Sequence, residues 1–327
     1  LKIMVTGGAG FIGSNFIRYF LKQYPYDEII NVDLLTYAGN LNNLADISEG
    51  LRFIKADIAD KASLEPLFKE GLDAVINFAA ESHVDRSIVQ PELFVKTNVL
   101  GTQTILDLSK KYGIHKFIQV STDEVYGSLG STGLFTEDTP LQPNSPYSAS
   151  KAGADLLVRA YYETYGLPVN ITRCSNNYGP YQFPEKLIPL MIYNAMNGRP
   201  LPLYGDGMNV RDWLYVEDHC RAIDIVLRNG KNGEVYNIGG NNERNNLQVI
   251  RTILELLNKP ESLITHVADR LGHDRRYAID SSKIRTQLGW VPKYSYEDGI
   301  RCTIQWYQDH LDWLEQVLTG ECDHSAG

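Results

Sequence analysis

The chain has 327 residues, 43% hydrophobic and 22% charged, enough apolar material for about two packed domains and too much for a disordered chain. Its 40 acidic and 31 basic side chains give a formal charge of −9, which argues against sequence-independent nucleic-acid binding, where a basic face is required. No apolar run approaches the roughly 18 residues of a membrane span.

Leu1 runs directly into an apolar strand, so no signal or transit peptide is expected. Ile3-Met4-Val5, Ile29 to Val32, Leu51 to Ile54, Ala74 to Asn77, Phe117 to Val120 and Val169 to Thr172 are rich in β-branched and apolar residues and predict strands. Ser14 to Lys22, Ser63 to Lys69, Pro91 to Tyr112 and Tyr147 to Tyr165 have helical apolar spacing and lie between them. Strand and helix in alternation predict a doubly wound α/β fold with a parallel sheet. From about Asn176 proline, glycine and asparagine become frequent and helices shorten, as in Gly205-Asp206-Gly207 and Gly239-Gly240-Asn241-Asn242. This predicts a nucleotide domain over 1–175 and a smaller, irregular substrate domain over 176–327, with a segment near 213–238 returning to the first. The tail after Leu318 reads as unstructured. Cys174, Cys220, Cys302 and Cys322 are scattered, with no metal-ligand spacing. They predict reduced thiols, a cytoplasmic location and no metal site.

Thr6-Gly7-Gly8-Ala9-Gly10-Phe11-Ile12-Gly13 follows the first strand and opens the first helix. Gly7, Gly10 and Gly13 let the backbone turn tightly and approach a pyrophosphate, which would rest on free N–H groups at the helix start. Asp33 ends the second strand 20 residues after Gly13. An acid there accepts ribose hydroxyls and repels a 2′-phosphate, which predicts NAD rather than NADP. Tyr147 and Lys151 are four apart on a helix and share a face, and an ammonium beside a phenol favours the phenolate. Alone, such a pair is commonly just a solvated helical contact. Here it accompanies the glycine loop and Ser121-Thr122-Asp123-Glu124-Val125-Tyr126-Gly127 at the end of the fifth strand. Two adjacent carboxyls in one cleft split their protonation states, because like charges disfavour a second ionisation.

With these motifs, Ala79 to Ser87, Asn144 to Lys151 and Arg173 to Pro180, nearly the whole chain resembles the extended short-chain dehydrogenase/reductase family, and within it the dTDP-glucose 4,6-dehydratases. The resemblance implies a Rossmann sheet, NAD as cofactor, a nucleotide-sugar substrate (dTDP-glucose), and a homodimer. It implies that Tyr147 takes the carbon 4 hydroxyl proton, Lys151 holds the ribose, Thr122 bonds the carbon 4 oxygen, Glu124 removes the carbon 5 proton and Asp123 protonates the leaving carbon 6 hydroxyl. Phe11, Ile12, Asp33, Thr36, Asp57, Ile58, Ala79, Ala80, Thr97 and Asn177 resemble cofactor contacts. Ser82, Asn176, Lys186, Leu187, Pro202 and Tyr204 resemble sugar and base contacts, and Arg211, Asn246, Arg270 and His273 a grip on the pyrophosphate. Leu106, Leu156, Leu157 and Val158 are expected at the dimer interface. His83 reads as a structural histidine, and Cys174 as packing near the cofactor. Dehydration of another nucleotide sugar, 4-epimerisation, and a non-catalytic NAD-binding regulator stay open as alternatives. The acid pair separates dehydratases from epimerases, and retention of Tyr147 and Lys151 argues against the regulator.

Overall fold

The computed structural model describes residues 1–269 and 274–319. The predicted strands form as β1 (Lys2–Thr6), β2 (Glu28–Asp33), β3 (Leu51–Lys55), β4 (Ala74–Asn77), β5 (Lys116–Thr122) and β6 (Val169–Cys174). Helix α1 (Phe11–Gln23) starts three residues earlier than its apolar spacing predicts, with Gly10 at the N-cap position and no side-chain cap. Helix α2 (Lys61–Lys69) is capped by Asp60, whose carboxylate accepts from Ala62 N.

The helix expected over Pro91 to Tyr112 is not regular. After a separate short helix, α3 (Val84–Val89), it consists of α4 (Pro91–Phe94), a π-helical segment Val95–Gly101 and α5 (Thr102–Tyr112), which ends at left-handed Gly113. The widened turn contains Thr97 and Asn98, and such bulges recur where a helix must aim side chains at a site. Asn98 uses it fully: Oδ1 accepts from Glu81 N, and Nδ2 donates to Glu81 O and Ser150 Oγ. Helix α6 (Pro146–Tyr165) carries a reciprocal cap between Ser145 and Ser148 and a proline in its first turn, which fixes where Tyr147 begins.

Beyond β6 come β7 (Asn176–Tyr178), α7 (Leu187–Met196), β8 (Leu201–Tyr204), β9 (Val210–Tyr215), α8 (Val216–Asn229), β10 (Val235–Ile238), β11 (Glu243–Asn245), α9 (Asn246–Leu256), β12 (Ile264–Val267), α10 (Ser282–Leu288), α11 (Tyr296–Asp309) and α12 (Leu311–Thr319). The main sheet is parallel throughout, in the order β10-β6-β5-β4-β1-β2-β3. Smaller sheets, β11-β9-β7 and β12-β8, build the rest. One core packs α1 and α8 on one face of the main sheet, and a second packs α2, α5 and α6 on the other. A third joins α7, α9, α11 and α12.

Two expected interface residues are placed differently: Leu106 and Val158 are fully buried in the second core, because α5 and α6 turn those positions onto the sheet. Leu156 stays exposed, together with Val89, Val95 and Leu100. The tail after residue 319, including Cys322, lies outside the described residues. Among the described residues, no helix is long and apolar enough to cross a membrane, and no cluster of His, Cys, Asp or Glu could hold a metal ion.

Candidate active site

Parallel strands deliver their carboxyl ends to one edge, and the candidate residues follow those ends. After β1, Gly7 sits at φ +70°, and a Cβ there would meet Ala79 N at 2.6 Å. A Cβ on Gly13 would come 2.4 Å from Gly7 O and 2.7 Å from Gly8 Cα, backbone atoms that cannot give way. The start of α1, with Phe11 and Ile12, is thus pressed against a bare backbone turn, a cradle that suits a pyrophosphate. After β2, Asp33 is buried, with Oδ2 accepting from Ala9 N at 2.9 Å and Oδ1 from Leu35 N at 2.8 Å. Burial raises its pKa, and these amides hold it down. Each oxygen retains a lone pair, so the carboxylate fits ribose hydroxyls. Thr36 follows, exposed. After β3, Asp57 accepts from Ala59 N and pairs with Lys96 of the π-helical segment at 2.9 Å, next to buried Ile58. After β4 come Ala79, Ala80 and Ser82.

The end of β5 carries the chemistry. Thr122 caps a 3-10 turn, Asp123–Tyr126, by accepting from Glu124 N. Asp123 is 1% exposed, and its Oδ2 is buried with no hydrogen-bond partner. Burial, then the Glu124 and Asp212 carboxylates, push its pKa well above the usual carboxyl range, against a smaller opposing pull from Arg211. Its environment therefore favours the protonated form, as suits a group that donates a proton into the site. Tyr147 faces the same group. Burial raises its pKa, and Glu124, Cys174 and Asp123 add to the rise, while a hydrogen bond from Thr122 opposes it.

Here the structure differs from expectation. Lys151 is buried and donates from Nζ to Val120 O at 2.8 Å. Burial lowers its pKa, with Asp155 and Cys174 opposing. The phenol is thus pushed toward its neutral form, by burial first and then by Glu124, Cys174 and Asp123. Cys174 itself is pushed up to about 12 by burial and is a packed thiol donating to Ser121 O.

The substrate-side residues come from the smaller sheets. Asn176 and Asn177 lie on β7, the former with its Oδ1 buried and unpartnered. Lys186 occupies the N-cap position of α7 and donates to Ser82 O at 3.2 Å, next to Leu187. Pro202 and Tyr204 lie on β8, and Asn246 opens α9. Arg211, on β9, donates to Val210 O and Asp274 O and stacks on the Tyr277 ring at 4.3 Å. Arg270 and His273 lie outside the described residues. His83 caps α3 through Nδ1 and stands 3.5 Å from Glu185.

Several residues at the site escaped the sequence reading. Asp212 holds Gly240 N and Asn242 N beside Asp123. Tyr277 is buried close enough to Glu124 for that carboxylate to disfavour its ionisation. Glu185 accepts from Tyr37 Oη at 3.1 Å. His219 is held neutral by burial, its pKa pushed down to about 3, and donates from Nδ1 to Asn177 Oδ1. None belongs to a spaced motif, but Asp212 adjoins Arg211 and Glu185 adjoins Lys186, so neighbours of chosen residues were the available signal.

A model described as GDP-mannose 4,6 dehydratase matches residues 4–303. The chain belongs to the GDP-mannose 4,6-dehydratase family. It is 54% identical to a dTDP-glucose 4,6-dehydratase of Xanthomonas campestris pv. campestris, over 97% of this chain and 96% of that one. DesIV, a dTDP-glucose 4,6-dehydratase from Streptomyces venezuelae crystallised with NAD and TYD bound, superposes with a TM-score of 0.94 at 51% identity, covering 97% of this chain and all of that one (100%). A UDP-glucose 4-epimerase from Thermotoga maritima, crystallised with UDP-glucose, superposes at 0.89 but is 30% identical, covering 95% and 100%. Solved structures of both reaction types thus share this fold, and identity is higher on the dehydratase side.

Proposed function

We propose that this chain is an NAD-dependent dTDP-glucose 4,6-dehydratase, forming the 4-keto-6-deoxy sugar with no net redox change. The observation that carries the reading is the acid pair: Asp123, buried with Oδ2 unpartnered and its pKa raised by burial, next to Glu124 at the strand end close to Tyr147. Epimerisation at carbon 4 needs no second acid–base pair, whereas removal of water across carbons 5 and 6 needs a base and an acid. NAD, when bound in the glycine cradle with its ribose on Asp33, supplies the acceptor for the carbon 4 hydride and returns it to carbon 6.

The chain's own groups do the proton work. Tyr147 takes the carbon 4 hydroxyl proton, with Thr122 bonding the same oxygen and Lys151 holding the cofactor ribose. The ketone makes the carbon 5 proton acidic, Glu124 removes it, and Asp123 protonates the departing carbon 6 hydroxyl. Arg211, with Asn246, Arg270 and His273, grips the pyrophosphate, since a guanidinium fork pairs with phosphate oxygens.

Incubation with dTDP-glucose and NAD should give a 4-keto product carrying a methyl group at carbon 6, read by mass and proton NMR. A product that keeps oxygen on carbon 6 would point to epimerisation, and equal turnover with NADP would remove the role given to Asp33. The assembly is read as a homodimer formed over α3, the π-helical segment and α6, where Val89, Val95, Leu100 and Leu156 leave apolar surface uncovered. Light scattering at micromolar concentration should give about twice 36.9 kDa, and a value near 36.9 kDa would reject the dimer.

A further inference from the structure

Behind the acid pair runs a connected set of buried side chains that the reaction as proposed does not use. Arg173 on β6 is 5% exposed, and its Nε donates to Asp155 Oδ2 at 2.9 Å. Asp155 lies one helical turn beyond Lys151 on α6. Another arm of the guanidinium, Nη1, donates to Tyr126 Oη at 3.0 Å, and Tyr126 Oη donates to Asn237 Oδ1 on β10 at 2.8 Å. Tyr126 closes the 3-10 turn that Asp123 and Glu124 open. Its ring stacks on Phe135 with centroids 5.0 Å apart, and Asn237 Nδ2 donates to Phe135 O, so the turn is braced from both sides.

The energetics favour a geometric role over a stabilising one. Desolvating a guanidinium and a carboxylate costs about what their attraction returns, and apolar residues of equal volume would fill this core as well. Asp155 even keeps Oδ1 buried with no hydrogen-bond partner, a cost that packing does not require. What an apolar filler cannot do is fix a direction. A planar guanidinium with one edge on α6 and another on the acid turn sets the spacing between them. Tyr147 and Lys151 sit on the first element and Asp123 and Glu124 on the second, and reaction at both must reach one sugar ring.

We propose that Arg173, Asp155 and Tyr126 are positioning residues that hold the acid-pair turn in register with the helix carrying Tyr147 and Lys151. The proposal rests on the functional reading above, and none of the three touches substrate. Misplacement by a fraction of an ångström would spare substrate binding and proton removal by Tyr147 but slow the step that Glu124 and Asp123 carry out.

The test is Tyr126→Phe, which deletes one oxygen and keeps the stacked ring. In single turnover with dTDP-glucose, the reduced-nicotinamide absorbance should rise within about twofold of the unsubstituted rate, and KM should stay within about twofold. Exchange of the carbon 5 proton with heavy water should fall by about tenfold or more, the scale of a lost hydrogen bond to a charged group. Arg173→Lys keeps a charge opposite Asp155 but gives up the fork, and should show the same selective loss. The double variant should be little worse than the worse single one, because both changes break one link. Equal slowing of both steps, or a lowered melting temperature with their ratio unchanged, would overturn the proposal. If Arg173→Lys does not fold, Tyr126→Phe decides alone. No reduced-nicotinamide signal in the unsubstituted enzyme would overturn the functional reading, and the clamp with it.

Discussion

Tyr147→Phe is expected to lower turnover by on the order of 10² or more and to leave no reduced-nicotinamide absorbance in single turnover. The ring is buried among Thr122, Asp123, Glu124 and Cys174, so the substitution changes one oxygen and little packing. The pH dependence follows from the direction of its shift. Burial and the two carboxylates raise the phenol's pKa, so the phenolate fraction at neutral pH is small and grows with pH. The hydride step in the unsubstituted enzyme should therefore quicken as pH rises, and Tyr147→Phe should lose that slope. A residual burst of normal size would transfer the base role to another group, such as Glu124.

The acid pair should separate the later steps. Glu124→Gln is expected to form the ketone, with its reduced-nicotinamide signal, yet fail to exchange the carbon 5 proton with heavy water, a loss on the order of 10² or more. Asp123→Asn should permit that exchange and stall before the carbon 6 hydroxyl leaves. Asp123 has its pKa raised by burial and by two neighbouring carboxylates, so it keeps its proton where an ordinary carboxyl has lost it. Elimination should hold below that raised pKa and fall as pH climbs through it, opposite in slope to the hydride step. Asp123→Asn should remove the falling limb. Normal carbon 5 exchange in Glu124→Gln would reject it as the base, and unimpaired elimination in Asp123→Asn would reject it as the acid.

The parallel sheet was legible because its strands are short β-branched runs buried on both faces, such as Ile3-Met4-Val5 and Ile29 to Val32. The glycine loop was legible because Gly7 and Gly13 occupy places where a Cβ cannot fit. The π-helical segment was not, since a helical apolar period is blind to one extra residue in a turn. Lys151 illustrates a different limit. Its four-residue spacing from Tyr147 places both on one face, but spacing does not reveal that Val120 O takes the ammonium. Asp212 and Tyr277 reach the site from β9 and from the stretch before α10, so only the tertiary fold brings them to Asp123 and Glu124.

The return of β10 to the main sheet bears on how the chain matures. Until residues 235–238 exist, β6 presents an open edge of unpaired backbone, a template for pairing with another chain. Until α8 exists, the apolar side of α1, with Phe16 and Phe20, lacks its cover of Ile223 and Val226. An N-terminal fragment ending near Cys174 is therefore no autonomous nucleotide-binding unit. On the ribosome the cofactor half must wait for chain made some 60 residues later, a span that loop-closure entropy tolerates but that leaves a sticky intermediate exposed.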